Sequence, residues 1–267
     1  MRRDVASRKR DRSPNRRQRG DLHALGRDVR QPVDGWWWQA APLSIDVPRR
    51  VSGSAVPRRS LVIGASGFLG SHVARQLVQR GDDVRVMLRA SSSTRAIDDL
   101  AVERCYGDIF DDEALRSAMA GCSVVFYCVV DARPWLRDPA PLWRTNTEGL
   151  RHVLDVAVEA ELDRFVFTSS IGTIGLSERG LATEETAHNW GDVGGDYIQS
   201  RVVAEDMVLR YCRDRGLPGV AMCVANTYGP GDFLPTPHGG LVAGAVLGAL
   251  PFYICLLYTS PSPRDRS

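Results

Sequence analysis

A tyrosine and an arginine four residues apart, Tyr197 and Arg201 in the run YIQSR, share one face if the segment is helical. A phenol ionises at about pH 10, so it serves as acid or base near neutrality only where a cation stabilises its anion. Arg201 carries that charge. Upstream, Ser170 closes the run FVFTSS, and its hydroxyl can hydrogen-bond a carbonyl oxygen as negative charge develops there. Together the three residues would move a proton at a carbonyl or alcohol oxygen.

A second group of residues supplies a place for a cofactor. Gly64-Ala65-Ser66-Gly67-Phe68-Leu69-Gly70 follows the apolar run Leu61 to Ile63 and opens an amphipathic stretch. Glycines at this spacing let the backbone approach a pyrophosphate, and the N–H groups that open a helix receive the anion. Gly64, Ser66, Gly67, Phe68, Leu69 and Gly70 are therefore the candidate dinucleotide turn. At the end of the second strand, Asp or Glu would bond a ribose 2′-hydroxyl, whereas Arg accommodates a 2′-phosphate. Arg89 stands there, followed by Ser91 and Ser92, while Asp82 and Asp83 precede the strand. The guanidinium fork suits phosphate, so NADP is expected over NAD, with NAD as the alternative. Asp108 and Ile109, after the third strand, are expected to flank the adenine.

The elements that must position these groups are legible as alternating patterns. β-Branched runs at 61–63, 84–88, 102–106, 124–129, 165–168 and 220–224 read as strands. Between them, 67–80, 111–120, 146–160 and 197–215 read as helices, three of them followed by Gly81, Gly121 and Gly216. This alternation predicts an α/β fold with a doubly wound parallel sheet.

The chain resembles an extended short-chain dehydrogenase/reductase of the NAD(P)-dependent epimerase/dehydratase superfamily. The resemblance runs from about Leu61 to Ile254 through VIGASGFLG, GDIFDDEALRSAMAGC, NTEGLRHVLDVA, FVFTSSIGTIG, YIQSR and NTYGPGD. It is strongest to the dihydroflavonol reductase-like and 3β-hydroxysteroid dehydrogenase-like branch. The resemblance implies a Rossmann fold and places Ser170, Tyr197 and Arg201 at the catalytic Ser, Tyr and Lys positions. It also places Asn146 at the active-site Asn, and Asn226, Tyr228, Gly229 and Pro230 in the loop near nicotinamide and substrate. Arg201 departs from the family's YxxxK pattern, whose lysine lowers the tyrosine pKa and holds the ribose hydroxyls. The implied reaction is interconversion of a carbonyl and a secondary alcohol on a small or medium-sized organic substrate. A nucleotide-sugar epimerase or dehydratase, and a non-catalytic NADP-binding sensor, are the alternatives.

Composition sets the remaining expectations. With 43% hydrophobic and 25% charged residues in 267, the balance is that of a globular protein. Residues 1–60 hold 15 of the 34 basic residues against 6 of the 32 acidic ones, so the remainder of the chain is net acidic. No nucleic-acid partner is expected for the folded domain. Residues 1–58 read as a disordered basic extension, and 59–254 as the NAD(P)-binding domain with the start of a substrate lobe. Gly239 to Tyr258 is long and apolar enough for a membrane span, but Pro251 interrupts it, and a core helix followed by a strand is expected instead. Residues 255–267, CLLYTSPSPRDRS, resemble a translated sequencing adaptor, so the native sequence is expected to continue past Ile254 and the substrate lobe to be truncated. Six cysteines without a CxxC pair and five scattered histidines predict reduced thiols, a cytoplasmic location and no metal site. A homodimer is compatible with the family.

Overall fold

The computed structural model describes residues 59–177 and 180–249. The predicted basic extension at 1–58, Ile254 and the adaptor-like end lie outside the described residues. Six strands form one wholly parallel sheet: β1 (Arg59–Ile63), β2 (Asp83–Leu88), β3 (Glu103–Tyr106), β4 (Cys122–Tyr127), β5 (Arg164–Thr168) and β6 (Gly219–Met222). Their order across the sheet is β3-β2-β1-β4-β5-β6. The chain winds outward from β1 on one side and from β4 on the other, which leaves a crevice at the carboxyl ends of these two strands.

Alternation along the strands divides the core. Val62, Val84, Val86 and Leu88 pack with Ala74 and Leu77 of α1 (Phe68–Gln79) on one face. Leu61, Ile63, Val125, Tyr127, Phe165 and Phe167 face the other way, against α2 (Asp112–Met119), α4 (Leu150–Glu159) and α5 (Gly195–Arg215). Two apolar faces covered by helices explain why strands such as VRVML read as nearly continuous apolar runs. Arg85 interrupts β2 because its guanidinium reaches the carbonyls of Ala118 and Ala120 at the end of α2, 2.8 and 2.9 Å away. A cation is favoured at that pole of a helix.

Most boundaries fall within two residues of expectation, and three differences bear on the site. β4 ends at Tyr127 rather than Val129, although the Cys128 N–H still bonds Ile63 at 2.9 Å. β6 ends at Met222 rather than Val224, while the Ile171 N–H continues to bond the Val224 carbonyl at 3.0 Å. The predicted helix from Asn146 is instead a short helix α3 (Ala140–Trp143) that widens into a π-helical turn (Arg144–Gly149) before α4 begins. Glycines do follow α1, α2 and α5 in the left-handed region, with φ of 79°, 71° and 69° at Gly81, Gly121 and Gly216. After α4 the non-glycine Glu161 takes that role at φ 47°. Among the described residues, α6 (Pro237–Val246) forms within the long apolar stretch but buries none of its residues, so it is not the core helix expected there, and no helix is long and apolar enough to cross a membrane.

Candidate active site

The glycine turn is shaped by the approach of two strand ends. Gly64 leaves β1 at φ 95°, and a Cβ there would stand 2.9 Å from the Cys128 carbonyl carbon. The Gly67 N–H closes the turn onto the Gly64 carbonyl at 3.1 Å. Gly67 then caps α1 in extended conformation with no side-chain hydrogen bond to the helix. A Cβ on Gly70 would collide with the Gly64 carbonyl oxygen, so the first turn of α1 can pack this close only through glycine. Phe68 and Leu69 form that first turn. Phe68 meets His72 edge-on at 5.0 Å, and His72 Nε2 lies 2.9 Å from the Pro230 carbonyl oxygen. The NTYGP loop is thereby fastened beside the turn.

A cavity of about 520 Å³ opens in the crevice. Gly64, Ser66 and Gly67 line one part, and Arg89 and Ser92 another. Gly107, Asp108 and Ile109 follow from the end of β3, and the segment Cys128 to Arg133 from the end of β4. Phe68, Leu69, Gly70 and Pro230 are not on its wall, and neither are the predicted catalytic residues Asn146, Ser170, Tyr197 and Arg201. The turn, the free N–H groups opening α1 and a cavity reaching Arg89 fit an extended dinucleotide. Asp108 is fixed by accepting the Phe110 N–H at 3.2 Å.

Asn146 is 1% exposed on the π-helical turn and holds two elements at once. Its Oδ1 accepts the Asp131 N–H at 2.8 Å, and its Nδ2 donates to the Asp131 carbonyl and to Ser200 Oγ, each at 3.0 Å. Ser200 donates in turn to the Tyr197 carbonyl at 2.7 Å. The segment after β4 and the first turn of α5 are thus joined through one carboxamide. Asp131 also receives both arms of Arg133, at 2.8 and 2.5 Å, and this fork pulls its carboxyl below the usual range against the opposing effect of burial.

Ser170 follows β5 in extended conformation and accepts the Gly172 N–H at 3.1 Å. That bond uses a lone pair and leaves the serine proton free to donate. A Cβ on Gly172 would meet the Ile198 side chain and stand 3.3 Å from Ser170 Oγ, so the serine turn abuts the first turn of α5. Half-buried Tyr197 precedes Ile198 on that helix. Arg201 is 1% exposed. Its Nη2 donates to the Thr168 carbonyl, its guanidinium covers the Phe167 ring at 4.8 Å, and its buried Nη1 has no partner. Burial lowers its pKa, opposed by electrostatic interaction with Tyr197, Tyr127 and Glu205. Asn226 is exposed, and Tyr228 is turned toward His238 at 5.8 Å rather than onto the cavity wall.

Sequence spacing did not single out Asp131, Arg133, Ser200 or Glu205. A D-x-R triplet signals a local ion pair only once the strand is known to end before it. The NAD dependent epimerase/dehydratase family model matches residues 60–249. The chain belongs to this family. The family is NAD(P)-dependent and its Rossmann fold is the sheet described above. Within it, the chain is 32% identical to sterol demethylase protein B of Methylococcus capsulatus over 73% of this chain and 59% of that protein. It is 31% identical to a putative dihydroflavonol 4-reductase of Synechocystis, over 72% and 56%. A solved structure, gox2253, superposes with a TM-score of 0.68 at 35% identity, covering 73% of this chain and 59% of that one. The chain therefore spans less than two thirds of the length of these relatives. Among the described residues, no group of His, Cys, Asp or Glu could hold a metal ion.

Proposed function

We propose that the protein is an NADP-dependent oxidoreductase interconverting a carbonyl and a secondary alcohol on a small or medium-sized organic substrate. The reading rests on the Ser170 hydroxyl, which accepts the Gly172 N–H and so keeps its own proton for a substrate oxygen, on a turn packed against the helix of Tyr197. The Gly64 to Gly70 turn would hold the pyrophosphate, Asp108 and Ile109 the adenine side, and Arg89 the 2′-phosphate. When bound, the dinucleotide supplies or accepts the hydride. Ser170 donates to the carbonyl oxygen and orients it. Tyr197 gives that oxygen its proton in reduction and takes it back in oxidation. Arg201 supplies the cation that favours the phenolate, and its unpartnered Nη1 supports a contact with a ribose hydroxyl. Asn146 and Ser200 hold the Tyr197 turn in place.

The family's epimerases and dehydratases support a second reading, in which the same residues act on a nucleotide sugar with no net turnover of cofactor. A small-molecule substrate is common to both. The described cysteines are free, in keeping with a cytoplasmic location. Oxidation of NADPH with a panel of ketones and aldehydes tests the proposal, with Y197F as control. Substrate-dependent NADPH loss that disappears in Y197F is expected. Conversion of nucleotide sugars without NADPH loss would select the second reading, and turnover retained in Y197F would remove the tyrosine from the chemistry.

A further inference from the structure

Three donors converge on one carboxylate oxygen behind the serine turn. Glu205 Oε2 accepts from Ser169 Oγ, from Thr173 Oγ1 at 3.0 Å and from Cys223 Sγ at 3.6 Å. Ser169 and Thr173 are 5% and 7% exposed and bracket Ser170 in the chain, one on each side. Cys223 follows β6, so the carboxylate also reaches the strand neighbouring β5. Glu205 lies one helical turn beyond Arg201 and two beyond Tyr197, on the same face of α5.

We propose that Glu205 is a positioning residue that clamps the Ser170 turn to the helix carrying Tyr197, fixing where the serine and tyrosine hydroxyls stand relative to one another. An ionised carboxylate is an acceptor with no proton to place, which is what three converging donors require, and its bonds are stronger than those of a neutral amide. The clamp is short: Ser169 is joined to Ser170 by one peptide bond, and the Thr173 N–H bonds the Ser170 carbonyl at 3.0 Å. The single Thr173 hydroxyl proton is shared between the same carbonyl, 2.7 Å away, and Glu205 Oε2. Loosening Glu205 therefore frees both ends of the turn whose Gly172 N–H orients Ser170 Oγ. A small displacement of a reacting group costs far more in turnover than in binding.

This inference rests on the proposed roles of Ser170 and Tyr197, and its test separates the two. In the full 267-residue chain, E205Q, E205D and S169A are compared for kcat and KM with a reducible carbonyl, for NADPH affinity by fluorescence, and for amide exchange at Gly172 and Thr173. E205Q should lose about tenfold in kcat, with KM and NADPH affinity within about twofold and with exchange at both amides about tenfold faster, as expected for one lost charge-assisted bond. E205D keeps the charge and should recover most of the kcat. S169A removes one donor and should shift kcat and exchange in the same direction by less, which keeps the proposal testable if E205Q does not fold. Wild-type kcat and wild-type exchange in E205Q, or in S169A where E205Q fails to fold, overturn the clamp. Faster exchange in E205Q in a chain that converts nucleotide sugars but not carbonyls upholds the clamp and overturns the oxidoreductase reading.

Discussion

The Arg201 guanidinium lies over the Phe167 ring, 4.8 Å from its centroid, while its Nη2 donates to the Thr168 carbonyl at the end of β5. One cation thus does two jobs, stacking on an aromatic face and bonding a strand end, and a planar fork does both where a point charge cannot. Lysine at this position should keep a positive charge beside Tyr197 but lose the stack, costing about 1–2 kcal/mol in urea denaturation. Turnover should persist near neutrality. Burial lowers the Arg201 pKa from a high starting value. A lysine starts at about 10.4 and is lowered by the same burial. The alkaline limb of R201K should therefore fall at a lower pH than that of wild type, and superimposable pH-rate profiles would refute the assignment of the cation.

Asp131 and Arg133 give a second pH-dependent outcome. The Arg133 fork holds the Asp131 carboxyl below its ordinary range in the folded chain. A depressed folded pKa contributes stability that is full above the unfolded value and is lost as pH falls through the folded one. Wild type should therefore lose melting temperature between about pH 5 and pH 2 more steeply than R133M, in which the carboxyl returns toward its ordinary value. Parallel curves would show that the ion pair contributes nothing to folding.

How far the sequence disclosed this arrangement depends on the range of each interaction. The glycine turn was readable because Gly64, Gly67 and Gly70 answer to backbone geometry within seven residues. The central strands were readable because both faces of the sheet are covered there, so β1, β4 and β5 carry long apolar runs, whereas β3 at the sheet edge, Glu103-Arg104-Cys105-Tyr106, is only half buried. Arg85 within β2 had no local explanation, since its partners at Ala118 and Ala120 are more than thirty residues away. The same applies to Asn146, whose partners Asp131 and Ser200 come from two other segments. The π-helical turn that aims Asn146 has no composition of its own to announce it. Tyr197 and Arg201 were placed correctly on one helix, but spacing gave no sign that Arg201 would be buried against Phe167.

Gly70 makes a sharp test of the turn. An added Cβ would collide with the Gly64 carbonyl oxygen, and backbone cannot swing aside as a flexible side chain can. G70A should weaken NADPH binding by at least about tenfold and destabilise the fold by about 1–3 kcal/mol, the usual cost of forced overpacking. Gly240 in α6 is the internal comparison, because a Cβ there meets open space. G240A should bind NADPH normally and gain up to about 1 kcal/mol from helix propensity. Equal affinities in G70A and wild type, by fluorescence titration, would remove this turn from the cofactor site.

Cofactor preference turns on the chain just beyond β2. The Ser92 N–H bonds the Arg89 carbonyl at 2.9 Å, closing a tight turn whose two end residues, Arg89 and Ser92, both line the cavity. That turn brings a guanidinium fork and a hydroxyl to one place on the wall, which is the pairing a phosphate monoester needs. NADPH should therefore bind at least about tenfold tighter than NADH, the worth of one charge-assisted contact. In R89D a carboxylate replaces the fork, repels a 2′-phosphate and accepts from a 2′-hydroxyl, so the order of affinities should reverse. Because Arg89 is exposed, the substitution should leave the melting temperature of the free protein nearly unchanged, and a change in preference can be read as recognition rather than as damage to the fold. Equal affinity of the wild-type chain for the two dinucleotides would show that Arg89 is a solvated surface residue.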